Sequence, residues 1–215
     1  IPGREVTTFQ GHANVLGMTA PLDFQLGGPR APAFARILDQ AEAAKALVVI
    51  NHPGLPSGEA CMGCGWTAPV AFARIQAVEA VNGGIASGPL SGIPFWEARL
   101  NAGERITAVG GSDNHDATLD PARAPAVGRP TTVVHATALS QDAILAAIRA
   151  GHVFVDVEGT RDRRLEVTFE AGGRIVEMGD RAPAPRDQGE LKIRVVGAAG
   201  GAVRLAGPFA PTIEG

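Results

Sequence analysis

Three short apolar runs, each preceded by a stretch with helical spacing, constrain the fold more than any other feature of the sequence. The run at residues 47–50 is continuous and β-branched, as in a parallel strand buried on both faces, and it follows a predicted helix at 32–45. The other two pairs are a helix at 67–76 before a strand at 77–81, and a helix at 94–102 before a strand at 105–109. This alternation predicts an α/β protein, either a βα-barrel or an open α/β sheet, with functional residues at the carboxyl ends of the strands.

Histidines and carboxylates lie at these predicted strand ends. His52 follows the first run, and a proline then ends the strand. Asp113 and His115 follow the third run, and alternation along an extended chain sends both side chains to the same side. Near the start of the sequence, Glu5 and His12 can lie on neighbouring loops or on either side of one tight connection. Carboxylate oxygens and imidazole nitrogens gathered in this way are ligands for zinc, manganese or iron.

The other histidines and the two cysteines carry weaker signals. His135 and His152 have no carboxylate at ligand spacing, so we expect both to satisfy loop backbone groups. Cys61 and Cys64 form a Cys-x-x-Cys pair, which can be half of a zinc site, a redox couple or a disulfide. Since there is no second such pair, we expect a loop element at the mouth of the site, with an oxidised pair as one form, rather than metal ligands.

Charge and hydropathy exclude some classes of function. The formal net charge is -3, and no basic stripe interleaved with aromatic residues occurs, which argues against a nucleic-acid partner. The sequence has neither an apolar run of 18 or more residues nor a secretory leader, so we expect no membrane span. Oligomeric state and compartment are left open.

The sequence changes character after about residue 160. Before it, residues 140–151 form the clearest helix, with Ser140 as N-cap and Gly151 as C-terminal stop. After it, residues 165–169 and 191–195 alternate apolar and polar side chains, as half-buried antiparallel strands do. A loop is expected around Pro183, Pro185 and Arg186. We therefore predict an α/β portion at 1–158 and a β-rich C-terminal extension at 159–215.

Four motifs occur in a fixed order along the chain. They are Pro2-Gly3-Arg4-Glu5-Val6-Thr7-Thr8 with Gly11-His12-Ala13-Asn14, then Asn51-His52-Pro53, then Val78-Glu79-Ala80-Val81-Asn82-Gly83, and finally Gly111-Ser112-Asp113-Asn114-His115. Together they resemble the PHP (polymerase and histidinol phosphatase) superfamily, with the CehA/McbA-type metallohydrolases most similar.

The resemblance implies a distorted (β/α)7 barrel, followed here by the small β-rich unit. It also implies two or three divalent ions, Mn, Fe or Zn, at the carboxyl ends of the strands. The implied metal ligands are Glu5, which would bridge ions, with His12, His52, Asp113 and His115. Arg4 and Asn82 are candidates for contacts to substrate, and Glu79 for support behind the ligands. The family's opening His-x-His and Thr-Asp-His motifs would precede Ile1, so we expect the first barrel strands to be missing from this chain.

The function implied is that of a metal-dependent hydrolase acting on a small-molecule ester. Metal ions would lower the pKa of a shared water and present a bridging hydroxide, and Asp113 or His115 would pass the proton to the leaving group. We predict a phosphoester substrate, for which the candidate phosphate-binding arginines are Arg4, Arg74, Arg123 and Arg129.

Two alternatives remain open on sequence alone. The same centre could cleave a carboxylic or carbamic ester, and an apolar mouth near Trp66, Phe95 and Trp96 would favour an aryl ester. In a different class of function, the α/β part is degenerate and the protein is a non-catalytic binding module.

Overall fold

The structure is a computed structural model that describes residues 1–182 and 189–205. Its strands are β1 (Gly3–Thr8), β2 (Gly11–Leu16), β3 (Leu47–Ile50), β4 (Ala77–Asn82), β5 (Thr107–Gly111), β6 (Thr131–Val134), β7 (Val153–Asp156), β8 (Arg164–Ala171), β9 (Arg174–Glu177) and β10 (Glu190–Val196). Its α-helices are α1 (Phe34–Ala43), α2 (Ile93–Asn101) and α3 (Gln141–Ala150). The loop predicted around Pro183, Pro185 and Arg186 lies outside the described residues.

The main sheet has five strands in the order β1-β2-β3-β4-β5. The β1–β2 hairpin is antiparallel and joins β3 antiparallel, whereas β3, β4 and β5 run parallel. In this arrangement the start of β2 lies at the same end of the sheet as the carboxyl ends of β3, β4 and β5. That end collects residues from four separate segments of the chain.

Helices cover both faces of the main sheet. On one face, Phe34 and Ile37 of α1 pack with Val6 and Val15 in a fully buried core. On the other face, Leu145 and Ile148 of α3 pack against strand residues such as Val49. Strands buried on both faces read as continuous apolar runs, and all four residues of β3 are indeed buried.

The three α-helices confirm the sequence predictions to within about two residues at each end. In α3 the N-cap forms as expected, with the Ser140 hydroxyl accepting a hydrogen bond from the Ala143 backbone N–H at 3.3 Å. Gly151 then ends the helix in the left-handed region, with φ of 84°.

Three expectations need correction. The helix predicted at 67–76 is wrong, since the segment holds only a 3-10 turn at Phe72–Arg74. Pro69 disfavours helical backbone at the preceding residue, and Trp66 instead packs edge-on against Phe34 at 4.9 Å. The strand predicted at 105–109 forms two residues later in the sequence, as β5 at Thr107–Gly111. A closed (β/α)7 barrel is not seen in the described part of the chain, where the main sheet is open and β1 and β5 form its edges.

The remaining strands form two smaller sheets. The β6–β7 pair is antiparallel, and it is tied to β5 where the Thr132 hydroxyl accepts from the Gly110 N–H and donates to the Gly110 carbonyl, both at 2.9 Å. The third sheet has the order β10-β8-β9 and is antiparallel throughout, as predicted for the β-rich end of the chain. None of the helices described is long and apolar enough to cross a bilayer.

Candidate metal centre

The β1–β2 hairpin places Glu5 and His12 side by side. Glu5 pairs with Asn14 and Thr7 pairs with His12 across the hairpin, so these four side chains share one face. The two candidate ligands thus lie on either side of one tight connection, which was one of the two arrangements predicted. Next to the hairpin, the Asn51 backbone N–H donates to the His12 carbonyl at 3.0 Å, and this fixes the end of β3 against β2.

Glu5 lies between two histidines. Its Oε1 atom is 3.3 Å from Nδ1 of His12 and 3.5 Å from Nε2 of His52. The two imidazole rings meet edge to face, with centroids 4.9 Å apart. Both histidines are buried, whereas the Glu5 side chain is 32% exposed, so solvent reaches the group through the carboxylate. One carboxylate oxygen and two imidazole nitrogens converging in this way could supply three donors to a metal ion.

Two further carboxylates lie beside His52. Glu79 is buried in the middle of β4, where its Oε2 accepts from the His52 backbone N–H at 3.0 Å and from the Asn82 side chain at 3.1 Å. The same Asn82 amide nitrogen is 3.4 Å from Oδ2 of Asp113, so it links the two acids. Gly111 makes this packing possible, because a Cβ there would collide with Glu79 Oε1.

The electrostatics of this group favour a cation. The pKa of Glu5 is lowered to about 2, chiefly by its hydrogen bond with His52, with further lowering by Asn51 and the histidine charges against the effect of burial. Burial acts to lower the pKa of His52, but the hydrogen bond with Glu5 and the negative charges of Glu79, Asp113 and Glu5 outweigh it, so this pKa is raised. The pKa of Glu79 is also raised, mainly because burial disfavours its charge.

Two of these residues hold strained backbone. His52 has φ of 29° and Asp113 has φ of 50°, values that residues other than glycine rarely adopt. Each residue follows a parallel strand, and the turn re-aims its side chain toward the group. Strain of this kind costs of order 1–3 kcal/mol per residue and is concentrated at functional sites.

The cysteines close one side of the histidine pair. Cys61 and Cys64 form a disulfide with their Cα atoms 5.5 Å apart. Nε2 of His12 is 2.8 Å from the Met62 carbonyl, and Sγ of Cys64 is 3.3 Å from Nδ1 of His52. An oxidised pair beside the site is one of the forms expected from the sequence.

Other residues predicted for the site lie outside the group formed by Glu5, His12, His52, Glu79 and Asp113. The His115 side chain is 83% exposed and its Nδ1 lies 2.8 Å from the Asp113 backbone carbonyl, so it sits at the rim. Arg4 alternates with Glu5 along β1 and so lies on the opposite face. His135 and His152 are distant from the group, where they pair with Glu177 and Asp180.

The other candidates for phosphate or aryl recognition have structural partners. Arg74 pairs with Glu42 and Asp39, and Arg129 donates to the Pro121 carbonyl at 2.8 Å. Trp66 and Phe95 pack against the core around α1, and Trp96 donates its indole N–H to the Ile106 carbonyl at 2.9 Å. Arg74, Arg129 and the three aromatic side chains are thus engaged in structural contacts, and they form neither an arginine clamp nor an aromatic mouth.

Sequence reasoning gave no role to Asn51, although it precedes His52 directly. Its side-chain oxygen accepts from the Asn14 backbone N–H at 3.1 Å, and it hydrogen-bonds with Glu5. An asparagine between a buried strand and a histidine is the signal that could have pointed to it. The Met62 carbonyl had no sequence signal, because any residue presents the same backbone group.

The fold is similar to that of a solved structure. The structure is similar to the crystal structure of a two-domain protein containing a predicted PHP-like metal-dependent phosphoesterase from Bacteroides vulgatus, with a TM-score of 0.53 and 16% sequence identity. The similarity covers 90% of this chain and 64% of that one, so the chain spans less than two thirds of the neighbour. No family profile and no curated protein sequence matches the chain. The similarity therefore shows an α/β fold shared with that protein.

Proposed function

We propose that this chain carries the divalent-metal centre of a hydrolase, with Glu5, His12, His52 and Asp113 as ligands and a phosphoester as the substrate. The observation that carries the proposal is the position of Glu5 Oε1 within 3.5 Å of an imidazole nitrogen on each of two buried histidines. The similar protein from Bacteroides vulgatus is described as containing a predicted metal-dependent phosphoesterase, and this likeness supports the choice of substrate class.

The donor set fits such a metal. Carboxylate oxygen and imidazole nitrogen are shared by Mn, Fe and Zn centres. Three carboxylates, those of Glu5, Glu79 and Asp113, act on His52 and raise its pKa, so the group attracts positive charge before any ion is bound. Four protein ligands are enough for one ion, and a two- or three-ion centre of the PHP type needs further donors.

Divalent ions would supply Lewis acidity, which activates water and polarises the ester. The chain's own residues prepare the place for this. Glu5 stays ionised at neutral pH because its pKa is held near 2. Glu79 accepts a hydrogen bond from the His52 backbone at 3.0 Å, and the Asn82 amide donates to Asp113. These contacts fix the orientation of the two ligands His52 and Asp113.

His115 suits the transfer of a proton to the leaving group. It is exposed at the rim, and its Nδ1 is 3.6 Å from Oδ1 of Asp113. A solvent-exposed imidazole that binds no metal keeps its ring nitrogens free to pass a proton to the leaving group. We therefore assign Asp113 to the metal and His115 to the proton.

The test combines metal content with turnover. The chain, by itself and within its full-length protein, is loaded with Mn, Fe or Zn and assayed with an aryl phosphodiester and with an aryl carboxylic ester. We expect bound metal, and faster hydrolysis of the phosphodiester. Both should be lost in Glu5→Gln and kept in Glu166→Gln, which changes an exposed carboxylate on β8.

Other outcomes would overturn parts of the proposal. Protein that holds no metal in either form would contradict the ligand assignment. Metal without any turnover would favour the binding module, and preference for the carboxylic ester would replace the phosphoester as substrate.

A further inference from the structure

The loop that carries Cys61 and Cys64 is built against the two buried histidines. Cys64 is 2% exposed, and its sulfur lies 3.3 Å from Nδ1 of His52. Nε2 of His12 lies 2.8 Å from the carbonyl of Met62, between the cysteines. The loop between the cysteines thus contacts both imidazoles, His52 through a sulfur and His12 through a backbone carbonyl.

The loop is also held in place. Gly63 adopts φ of 83° and donates its backbone N–H to the Ser57 hydroxyl at 2.9 Å. A Cβ at Gly63 would collide with the Thr8 carbonyl oxygen at the end of β1, so the loop presses directly on the hairpin that carries His12. Neither of these Gly63 contacts involves the bond between the sulfur atoms, so reduction of that bond does not remove them.

Each imidazole presents its two nitrogens to different partners. On one side, Nδ1 of His12 and Nε2 of His52 face Glu5. On the other side, Nε2 of His12 and Nδ1 of His52 face the cysteine loop. One ligand atom from each of His12, His52, Cys61 and Cys64 lies within 4.8 Å of every other. Around a tetrahedral zinc ion such atoms are roughly 3.3–3.8 Å apart, given the usual Zn–S and Zn–N bond lengths. The two sulfurs, now bonded to each other, must therefore separate by roughly 2 Å after reduction, and the more distant pairs of atoms must move closer by roughly 1 Å.

We propose that reduced Cys61 and Cys64 join His12 and His52 in a Cys2His2 site for a thiolate-binding divalent ion such as Zn²⁺. A dithiol reductant supplies two electrons and two protons to the disulfide and is itself oxidised to a disulfide, and the two cysteines become thiols. The arriving ion displaces the two thiol protons and binds the thiolates. In the oxidised chain both sulfurs are bonded to each other and cannot bind the ion.

This site shares two histidines with the proposed hydrolase centre but does not depend on its activity. Carboxylate ligands suit Mn as well as Zn, whereas thiolates select Zn-like ions. The redox state of the loop therefore decides which ions the histidines hold.

Cobalt(II) is the probe, because it replaces zinc and its thiolate complexes absorb in the near ultraviolet. We expect the reduced chain to bind one equivalent of Co²⁺ with a thiolate absorption band that Zn²⁺ abolishes. The oxidised chain should show no such band, a comparison that needs no substitution. Cys61→Ser and Cys64→Ser should weaken the band, and His12→Asn and His52→Asn should weaken binding by at least about tenfold. Glu166→Gln, on the exposed surface of β8, should change neither.

Two results would overturn this site. Cobalt bound to the reduced chain without a thiolate band would remove the cysteines from it, and a band of unchanged affinity in both histidine variants would remove the histidines. Glu5→Gln separates the two proposals, since it should abolish the carboxylate centre and leave the cobalt–thiolate band in place.

Discussion

Polar side chains are buried at one end of the main sheet, whereas those of the β10-β8-β9 sheet lie at the surface. At the carboxyl end of the main sheet, His12, His52 and Glu79 are buried and bonded to one another or to their neighbours. None of the residues in β8, β9 and β10 is fully buried, and their charges pair on the surface, as Arg194 does with Glu166. Burial of polar groups is costly unless they are paired, so the fold retains such a group only where something offsets the cost. The difference marks the end of the main sheet as the place of the candidate site.

Removing a buried histidine should have the largest effect. Asparagine at position 52 tolerates the positive φ of His52 but removes its ring nitrogens, so His52→Asn tests the ligand and spares the backbone. Because partners behind a metal ligand already contribute 10–100-fold in affinity, we expect metal binding to fall by at least about 100-fold and turnover to fall to background. Equilibrium dialysis with metal analysis measures this. His135→Asn, on a side chain 78% exposed, is the matched control, and equal loss in both variants would contradict the comparison.

Substitution of His115 distinguishes a role in proton transfer from a role in metal binding. Since its side chain is 83% exposed, we expect His115→Ala to change metal affinity by less than about threefold. General acid catalysis contributes about 10²–10⁴ in rate, so kcat should fall by about 100-fold, with the largest loss for esters with poor leaving groups. Metal dialysis and steady-state kinetics on two phosphodiesters provide both readouts. A loss of affinity as large as that of His52→Asn would instead make His115 a ligand.

The variant Glu79→Gln tests whether Glu79 assists metal binding by holding the ligand His52 in position. The amide keeps an oxygen for the His52 backbone and Asn82 but removes a buried charge whose pKa burial has raised. We expect metal affinity to fall by about tenfold, while the thermal midpoint of the metal-free protein stays the same or rises. Calorimetry and a metal titration measure the two. A large drop in the midpoint would show that Glu79 stabilises the fold rather than the centre.

Unfolding at acid pH tests how much the charge on Glu5 stabilises the metal-free protein. Its pKa is about 2 in the folded chain against an ordinary 4.5, so its contribution to the free energy of unfolding is complete above pH 4.5 and is lost as the pH falls toward 2. With the side chain 32% exposed, solvent screening reduces this contribution to about 1.5 kcal/mol. His52 has a raised pKa and stays protonated throughout this window.

Urea unfolding at pH 5.5 and pH 3, with chelator present, measures the effect of Glu5. The wild-type chain should lose about 1 kcal/mol more than Glu5→Gln between the two pH values, since the rest of the Glu5 contribution is lost only between pH 3 and pH 2. Titration of Glu79 occurs in both proteins and cancels in the difference. Equal losses in the two proteins would show that Glu5 carries no special stabilisation.

The sequence was most informative where periodicity and caps act locally. The helix ended by Gly151 and the buried run of β3 form as predicted because their signals lie within single segments. The helix predicted at 67–76 failed because packing of Trp66 on Phe34, a contact between distant segments, overrides local propensity.

The candidate site was predictable as a set of residue types but not as a geometry. His52 and Asp113 lie where strand ends predicted them. His115 has the spacing to share a side with Asp113, but that prediction assumed an extended chain, whereas Asp113 has φ of 50° and the turn sends the His115 ring to the rim. The contact of Cys64 with His52 depends on how a long loop folds back, which no local pattern encodes.

The smallest expected effect belongs to the surface of the β10-β8-β9 sheet. Arg194 and Glu166 lie opposite each other on paired strands, with their charged atoms 3.2 Å apart and both side chains more than half exposed. Exposed pairs contribute little because water screens them and the side chains lose freedom, so Arg194→Ala should change the free energy of unfolding by less than about 0.5 kcal/mol and leave metal binding unchanged. Urea denaturation and dialysis measure both. A loss comparable with that of the Glu5 variant would mean that this sheet also depends on its charges, and the contrast between the two sheets would no longer mark the site.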